Sequence, residues 1–264
     1  MEGTNMKKLL SIVLIALFVL AGCACAEGYT FKMGIDAEYP PYSYLDDNGK
    51  YAGFDVEMCQ KVCEILGWGL EIVPINWDTK DIQLDAGEID CIWSGLTIDV
   101  IDPEAYTISM AYSDNSQMIL TKVGSGIETL DDVAGKVVGV QLGTSADILL
   151  SDGGDAADFG ASFGDLVRYE NYNVAFTELM AGAIDAIAID APVANEKISK
   201  YGDDYYCLEE SYASEKYGIC FRKADAEMCK QVEDAFMQLV ADGTYVELAE
   251  KYGLDTAALC LNAQ

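Results

Sequence analysis

From Thr30 onward the chain alternates short apolar runs with stretches whose apolar residues recur at helical spacing. That alternation is the signature of α/β architecture, and it restricts the fold more than any other feature of the sequence. Phe31 to Ile35 reads as a strand that runs into a turn through Pro40 and Pro41. Asp55 is placed to cap a helix on which Val56, Cys59, Cys63 and Leu66 share a face, and Gly67 stands where such a helix ends. Leu70 to Val73 and Ile89 to Trp93 are the next strands, separated by a helix around Asp81 to Ala86.

A second unit opens with the strand Met118 to Thr121, followed by a short helix from Ile127 to Ala134 closed by Gly135. Val137 to Val140 is a buried strand that turns at Gly143 into a helix from Ser145 to Leu150. Ala175 to Ala181 is a further helix, and Ile184 to Ile189 a strand ending at Asp190. Residues 151 to 164, rich in Gly, Asp and Ala, read as a loose surface excursion. The chain closes with helices Glu227 to Ala241 and Thr244 to Tyr252, where Met228, Val232, Phe236 and Leu239 line one face.

Composition excludes several functions. The 45 acids against 16 Lys and Arg give a formal charge of -29, which opposes nucleic acid as a partner. There is no histidine, so Ser-His and Cys-His catalytic pairs and the common His-containing zinc sites are ruled out. Beyond Cys25, seven cysteines remain without a CxxC pair, so neither a metal site nor a complete disulfide framework is indicated. They read as small buried apolar residues.

The N-terminus is an address. Lys7 and Lys8 precede the apolar run Leu9 to Ala21, which has the layout of an export signal and is short for a membrane span. The tetrad Leu20-Ala21-Gly22-Cys23 that follows resembles the lipobox of bacterial lipoproteins. Residues 1–22 are then a signal peptide, Cys23 is the lipidated first residue, and the mature protein is extracytoplasmic and anchored to the bacterial membrane.

Six strings carry a wider resemblance: GFDVEM at 53 to 58, GEIDCIWSGLTI at 87 to 98, LDDVAGKVVGVQLGTSAD at 130 to 147, GAIDAIAIDAPVA at 182 to 194, and YGICFRK with ADGTYVELAEKYG at 217 to 223 and 241 to 253. In content, order and spacing the chain resembles the polar amino-acid family of extracytoplasmic solute-binding proteins. The resemblance implies a two-lobed, periplasmic-binding-protein-like α/β fold with a two-strand hinge. Lobe one would comprise 27–112 plus 217–264, and lobe two 117–213. It also implies a small-molecule ligand, an amino acid or analogue, handed to an ABC permease and its ATPase, with no cofactor, metal or catalysis.

An enclosed amino acid needs a carboxylate for its ammonium and donors for its own carboxylate, because buried unpaired charge is costly. By the resemblance, Asp190 meets the ammonium, and Asp36 stands at the cleft end of the first strand. Tyr39 and Trp77 wall the ligand, with Tyr42, Tyr44 and Trp93 as weaker candidates. Ser94, Gly95 and Thr97 form one contact loop, and Thr144 with Ser145 offers a second at a helix start. Removing the Asp190 carboxylate is expected to leave a ligand's charge unmatched while hardly touching the core, with little change in the melting temperature of the free protein.

One departure stands out. The family places an arginine five residues after Thr97 to grip the ligand carboxylate, and this chain has Asp102 there. In the family geometry Asp102 would put negative charge where that carboxylate lies. Another cation such as Lys80 then compensates, or the ligand is an amine lacking a free carboxylate, or binding is weak. Rival readings are a non-transport sensor and, more remotely, an enzyme built on the same fold.

Overall fold

The computed structural model describes residues 28–261. The apolar run Leu9 to Ala21 and Cys23 lie outside the described residues. Among those described, no helix is long and apolar enough to cross a membrane.

Strand β1 (Thr30–Ile35) leads into a small antiparallel sheet of β2 (Glu38–Tyr39), β3 (Ser43–Leu45) and β4 (Tyr51–Ala52). Helix α1 (Phe54–Leu66) follows and stops at Gly67, whose left-handed φ of 68° lets its amide reach back to the last turn. Asp55 is not its cap: Gly53 holds that position. The Asp55 carboxylate instead turns into the core and accepts from the Gly95 amide at 2.6 Å and the Tyr112 hydroxyl at 2.8 Å, tying the helix to the sheet.

Next come β5 (Gly69–Pro74), a 3-10 turn at Trp77–Thr79, the short α2 (Lys80–Asp85), β6 (Cys91–Thr97) and β7 (Tyr106–Ile108). Every residue of β6 is buried, as expected of a strand with both faces covered. Strand β8 (Ser113–Lys122) is ten residues long. The helix expected from Ile127 to Ala134 is a single 3-10 turn, Leu130–Val133, started by a reciprocal box between Thr129 and Asp132.

The second unit continues with β9 (Val137–Gln141), α3 (Ser145–Leu150), α4 (Ala157–Ala161), β10 (Asp165–Tyr169), α5 (Tyr172–Ala181), β11 (Ala186–Asp190), α6 (Ala191–Tyr201) and β12 (Tyr205–Cys207). Residues 151 to 164 are not a loose excursion. They contain α4, pack Phe159 and Phe163 on the second core, and bring Gly160 so close to α3 that an added Cβ would lie 2.1 Å from the Leu150 carbonyl. Glycine here serves close approach rather than mobility. The chain ends with β13 (Ala213–Arg222), α7 (Ala226–Ala241) and α8 (Thr244–Lys251).

The main sheet runs β5-β1-β6-β13-β8-β11-β9-β10. Its two ends are alike: β5, β1 and β6 are mutually parallel, as are β10, β9 and β11, and each trio meets one long antiparallel strand. Those two strands join the halves. β13 pairs with β6 through Tyr217 to Phe221, β8 pairs with β11 through Gln117 to Thr121, and the two pair with each other from Ser113–Tyr217 to Gln117–Ala213.

The largest core runs through both halves, joining Phe31, Met33, Phe54, Val62, Phe236 and Leu239 to Tyr172, Phe176, Ile187 and Val193, while a second core of Ile119, Val138, Val140, Ala146 and Ala188 lies in the second half. The seven described cysteines are all unpaired, with Cys59, Cys63, Cys91, Cys220 and Cys229 buried and Cys207 and Cys260 half-buried.

Candidate ligand site

The carboxyl ends of four strands converge between the halves. Asp36 follows β1, Ser94, Gly95 and Thr97 end β6, Gln141 ends β9, and Asp190 ends β11. Open α/β sheets characteristically place ligands there. All nine residues picked out from the sequence, Asp36, Tyr39, Trp77, Ser94, Gly95, Thr97, Thr144, Ser145 and Asp190, line one cavity of about 90 Å³. Lys80, Asp81, Val100, Ile101 and Gln141 join them. A space of that size suits a small solute, not a polymer.

The two halves are closed on each other around it. Gln141 Nε2 donates to Asp36 Oδ2 at 2.7 Å, Lys80 Nζ to the Gly143 carbonyl at 3.1 Å, and Asn173 Nδ2 to Glu38 Oε2 at 2.9 Å. Thr97 Oγ1 lies 3.1 Å from Ser145 Oγ and 2.8 Å from Glu215 Oε1. Its one proton is best spent on the carboxylate, which leaves the Ser145 hydroxyl free to turn to Thr97 or to a ligand. Thr144 is more committed: it accepts from the Asp147 amide as the cap of α3 and donates to the Gln141 carbonyl at 2.7 Å.

Asp190 is held by four donors. Its Oδ1 accepts from Asn115 Nδ2 at 2.8 Å, Gln117 Nε2 at 2.6 Å and the Tyr217 hydroxyl at 2.7 Å, while Oδ2 accepts only from the Tyr172 hydroxyl at 3.1 Å. The first oxygen is saturated and the second keeps room for a cation. Four buried donors depend on this carboxylate, so its removal bears on the network around it as well as on a ligand. Burial raises the pKa of Asp36, against the opposing pull of the Gln141 amide and the Glu38 backbone. Gln141 Oε1 and Asp81 Oδ1 are buried without a hydrogen-bond partner and belong to cavity-lining residues.

The aromatic wall is partly as expected. Tyr39 and Trp77 reach the cavity; the Tyr39 hydroxyl meets that of Tyr217 at 2.9 Å. Gly95, at φ 55°, is required by this ring, since an added Cβ would sit 2.5 Å from Tyr39 Cε1. Trp93 and Tyr42 are fully buried elsewhere, against Phe236 and Phe54, and Tyr44 faces a separate surface groove. Asp102 is exposed, outside the cavity wall, and its Oδ1 accepts from the Glu104 amide at 2.9 Å. Its loop presents the apolar Val100 and Ile101 to the cavity instead, so the charge expected at the ligand carboxylate is absent.

Behind the cavity lies a carboxylate the sequence reading missed. Glu215 Oε1 accepts from Asn115 Nδ2 at 2.7 Å and Gln117 Nε2 at 2.9 Å, so the two amides bridge it to Asp190. Burial, and then the charge of Asp190, pushes the Glu215 carboxyl up to about 7. A faint signal existed: Asn115 with Gln117, and Glu215 with Tyr217, are pairs at strand spacing, which puts each pair on one face.

Comparison with known proteins completes the picture. A family model described as bacterial extracellular solute-binding proteins, family 3, matches residues 31–255. The L-cystine-binding protein TcyJ of Escherichia coli is 32% identical over 228 residues, 86% of this chain and 83% of that one. The lysine/arginine/ornithine-binding periplasmic protein of Escherichia coli is 31% identical over 249 residues, 91% and 94% of the two chains. Among solved structures, an ABC uptake transporter substrate binding protein from Streptococcus pneumoniae with bound histidine is similar at a TM-score of 0.79 and 30% identity, covering 88% of this chain and 95% of that one. With the model match spanning most of its length and these relatives aligned nearly end to end, the chain belongs to the bacterial extracellular solute-binding proteins of family 3.

Proposed function

We propose that the protein captures an amino acid or a close analogue in the cavity between its halves and delivers it to an ABC permease and its ATPase, while tethered to the outer face of the bacterial membrane by a lipid on Cys23. One observation carries the ligand reading: acceptors and donors of the kind a zwitterion needs line a single cavity between the halves. Asp190 Oδ2 and the unpartnered Gln141 Oε1 suit an ammonium, and Ser145 and Lys80 suit a carboxylate. The relatives' names add that L-cystine and the basic amino acids are bound elsewhere in the family.

The test is a panel of L-lysine, L-arginine, L-ornithine, L-histidine, L-glutamine and L-cystine titrated into the purified full chain by calorimetry. At least one member should bind one-to-one at micromolar affinity or tighter, about -8 kcal/mol. Silence across the panel would contradict the amino-acid reading. Three aspartates against one lysine in the cavity wall favour a second reading, a cationic amine, in which decarboxylated analogues alone would bind. For the tether, Cys23→Ala should release the protein from membranes and abolish acyl labelling; unchanged retention would remove Cys23 from the role.

A further inference from the structure

The cavity wall contains one lysine and no arginine, and that lysine is unusual in three ways. Lys80 is 7% exposed, yet no carboxylate lies within 4.0 Å of its Nζ among the described residues; its partners are the carbonyls of Gly143 at 3.1 Å and Trp77 at 3.5 Å. Its Nζ also lies over the face of the Trp77 ring, 5.3 Å from the centroid, rather than beside an acid. Desolvation lowers its pKa, only partly offset by the fields of Asp81 and Asp78. A cation kept in such a place without an ion-pair partner is costly, and the cost is relieved when an anion enters the cavity.

On the reading that the cavity takes an amino acid, we infer that Lys80 is the group that pairs with the ligand's carboxylate. Position favours it. The loop from Val100 to Asp102 offers the cavity only the apolar Val100 and Ile101, and Asp102 faces solvent. Lys80 belongs to one half of the molecule, and its Nζ already touches Gly143 in the other, one residue before Thr144 and Ser145. An ammonium spends three protons, and two carbonyls use two of them, so the third is free for a ligand oxygen. The lysine thereby acts twice, as counter-charge to the carboxylate and as a contact that forms only when the halves close. Selection for a free carboxylate follows, because an amide in its place would leave the lysine charge unmatched.

The experiment compares each of the six panel amino acids with its α-carboxamide by calorimetry, on the full chain and on Lys80→Met and Lys80→Arg. Wild type should prefer the acid to the carboxamide by at least tenfold. Lys80→Met should bind the acid at least tenfold more weakly, hold the carboxamide within about threefold, and lose the preference; Lys80→Arg should keep it. If Lys80→Met weakens acid and carboxamide alike, or leaves the preference intact, Lys80 is a closure contact only and the inference falls while the amino-acid reading stands. If no acid or carboxamide binds wild type, the amino-acid reading falls and takes this inference with it. Should Lys80→Met fail to fold, the Lys80 Nζ resonance of wild type decides. Its pKa should rise when the best-binding acid is added, and an unmoved resonance overturns the pairing.

Discussion

Asp190 has two oxygens with different duties, and substitutions there should separate them. Asp190→Asn keeps the volume but removes the negative charge and turns an NH₂ toward donors it cannot accept from. Affinity for the best panel ligand should fall at least about tenfold, or 1.4 kcal/mol. The apo protein should also lose about 1 to 3 kcal/mol, because the amide keeps only one accepting oxygen: turned toward Asn115, Gln117 and Tyr217 it leaves Tyr172 without its acceptor, and turned toward Tyr172 it leaves the other three without theirs. Calorimetry and denaturant unfolding read the two effects; unchanged stability would mean that the donor network carries no weight. Asp102 makes the opposite case. Exposed and tied to its own turn, it should tolerate Asp102→Arg with no more than about a twofold change in ligand affinity by calorimetry, and a larger tightening would place its side chain in the cavity. At this scale the sequence was legible wherever a motif position coincided with a strand end, as for Asp36, Thr97 and Asp190. It was silent on Glu215, whose partners Asn115 and Gln117 lie about a hundred residues away and are set by strand register alone.

Strands β8 and β13 give the molecule a buried acid where its halves meet. Glu215 has an ordinary pKa of 4.5 in an exposed chain and one pushed up to about 7 in the fold. Its contribution to stability is therefore fully present below about 4.5 and lost as pH rises through about 7, since the folded state holds the proton that the unfolded chain releases. Unfolding free energy from denaturant titrations should decline between pH 5 and pH 7.5, by up to about 1.4 kcal/mol per pH unit for this one proton. Glu215→Gln should flatten that decline. Some slope should remain in the variant, because burial also pushes Asp55 up to about 7, in the same direction. Equal slopes in the two proteins would contradict the assignment. Elements with a clear apolar run and a glycine stop, such as α1 and β9, were legible from the sequence. β13 is not legible as a strand, because its first half, Ala213 to Lys216, is two small residues followed by two charged ones, with no apolar run, and is held through hydrogen bonds such as those of Glu215 rather than by apolar contact. Helix α6 carries start signals of its own, Asp190 at the cap position and Pro192 in the first turn, but the sequence reading takes Asp190 only as the end of a strand and a ligand contact.

At the scale of the whole molecule, two similar halves share one sheet through a pair of long antiparallel strands, and the site is assembled only when the halves meet. The α/β class followed from the alternation of runs. The meeting of Asp36 with Gln141, or Lys80 with Gly143, did not, because closure depends on contacts between segments 63 to 105 residues apart. The strongly acidic exterior keeps the closed particle away from polyanions and leaves the choice of ligand to the cavity wall. That wall is what a co-crystal structure with the tightest-binding panel amino acid would test most directly. The account expects one ligand between Trp77 and Asp190, its ammonium within hydrogen-bond distance of Asp190 Oδ2 and its carboxylate within reach of Lys80 Nζ and Ser145 Oγ. A ligand bound outside this cavity, or inside it with its carboxylate toward Asp190, would contradict it.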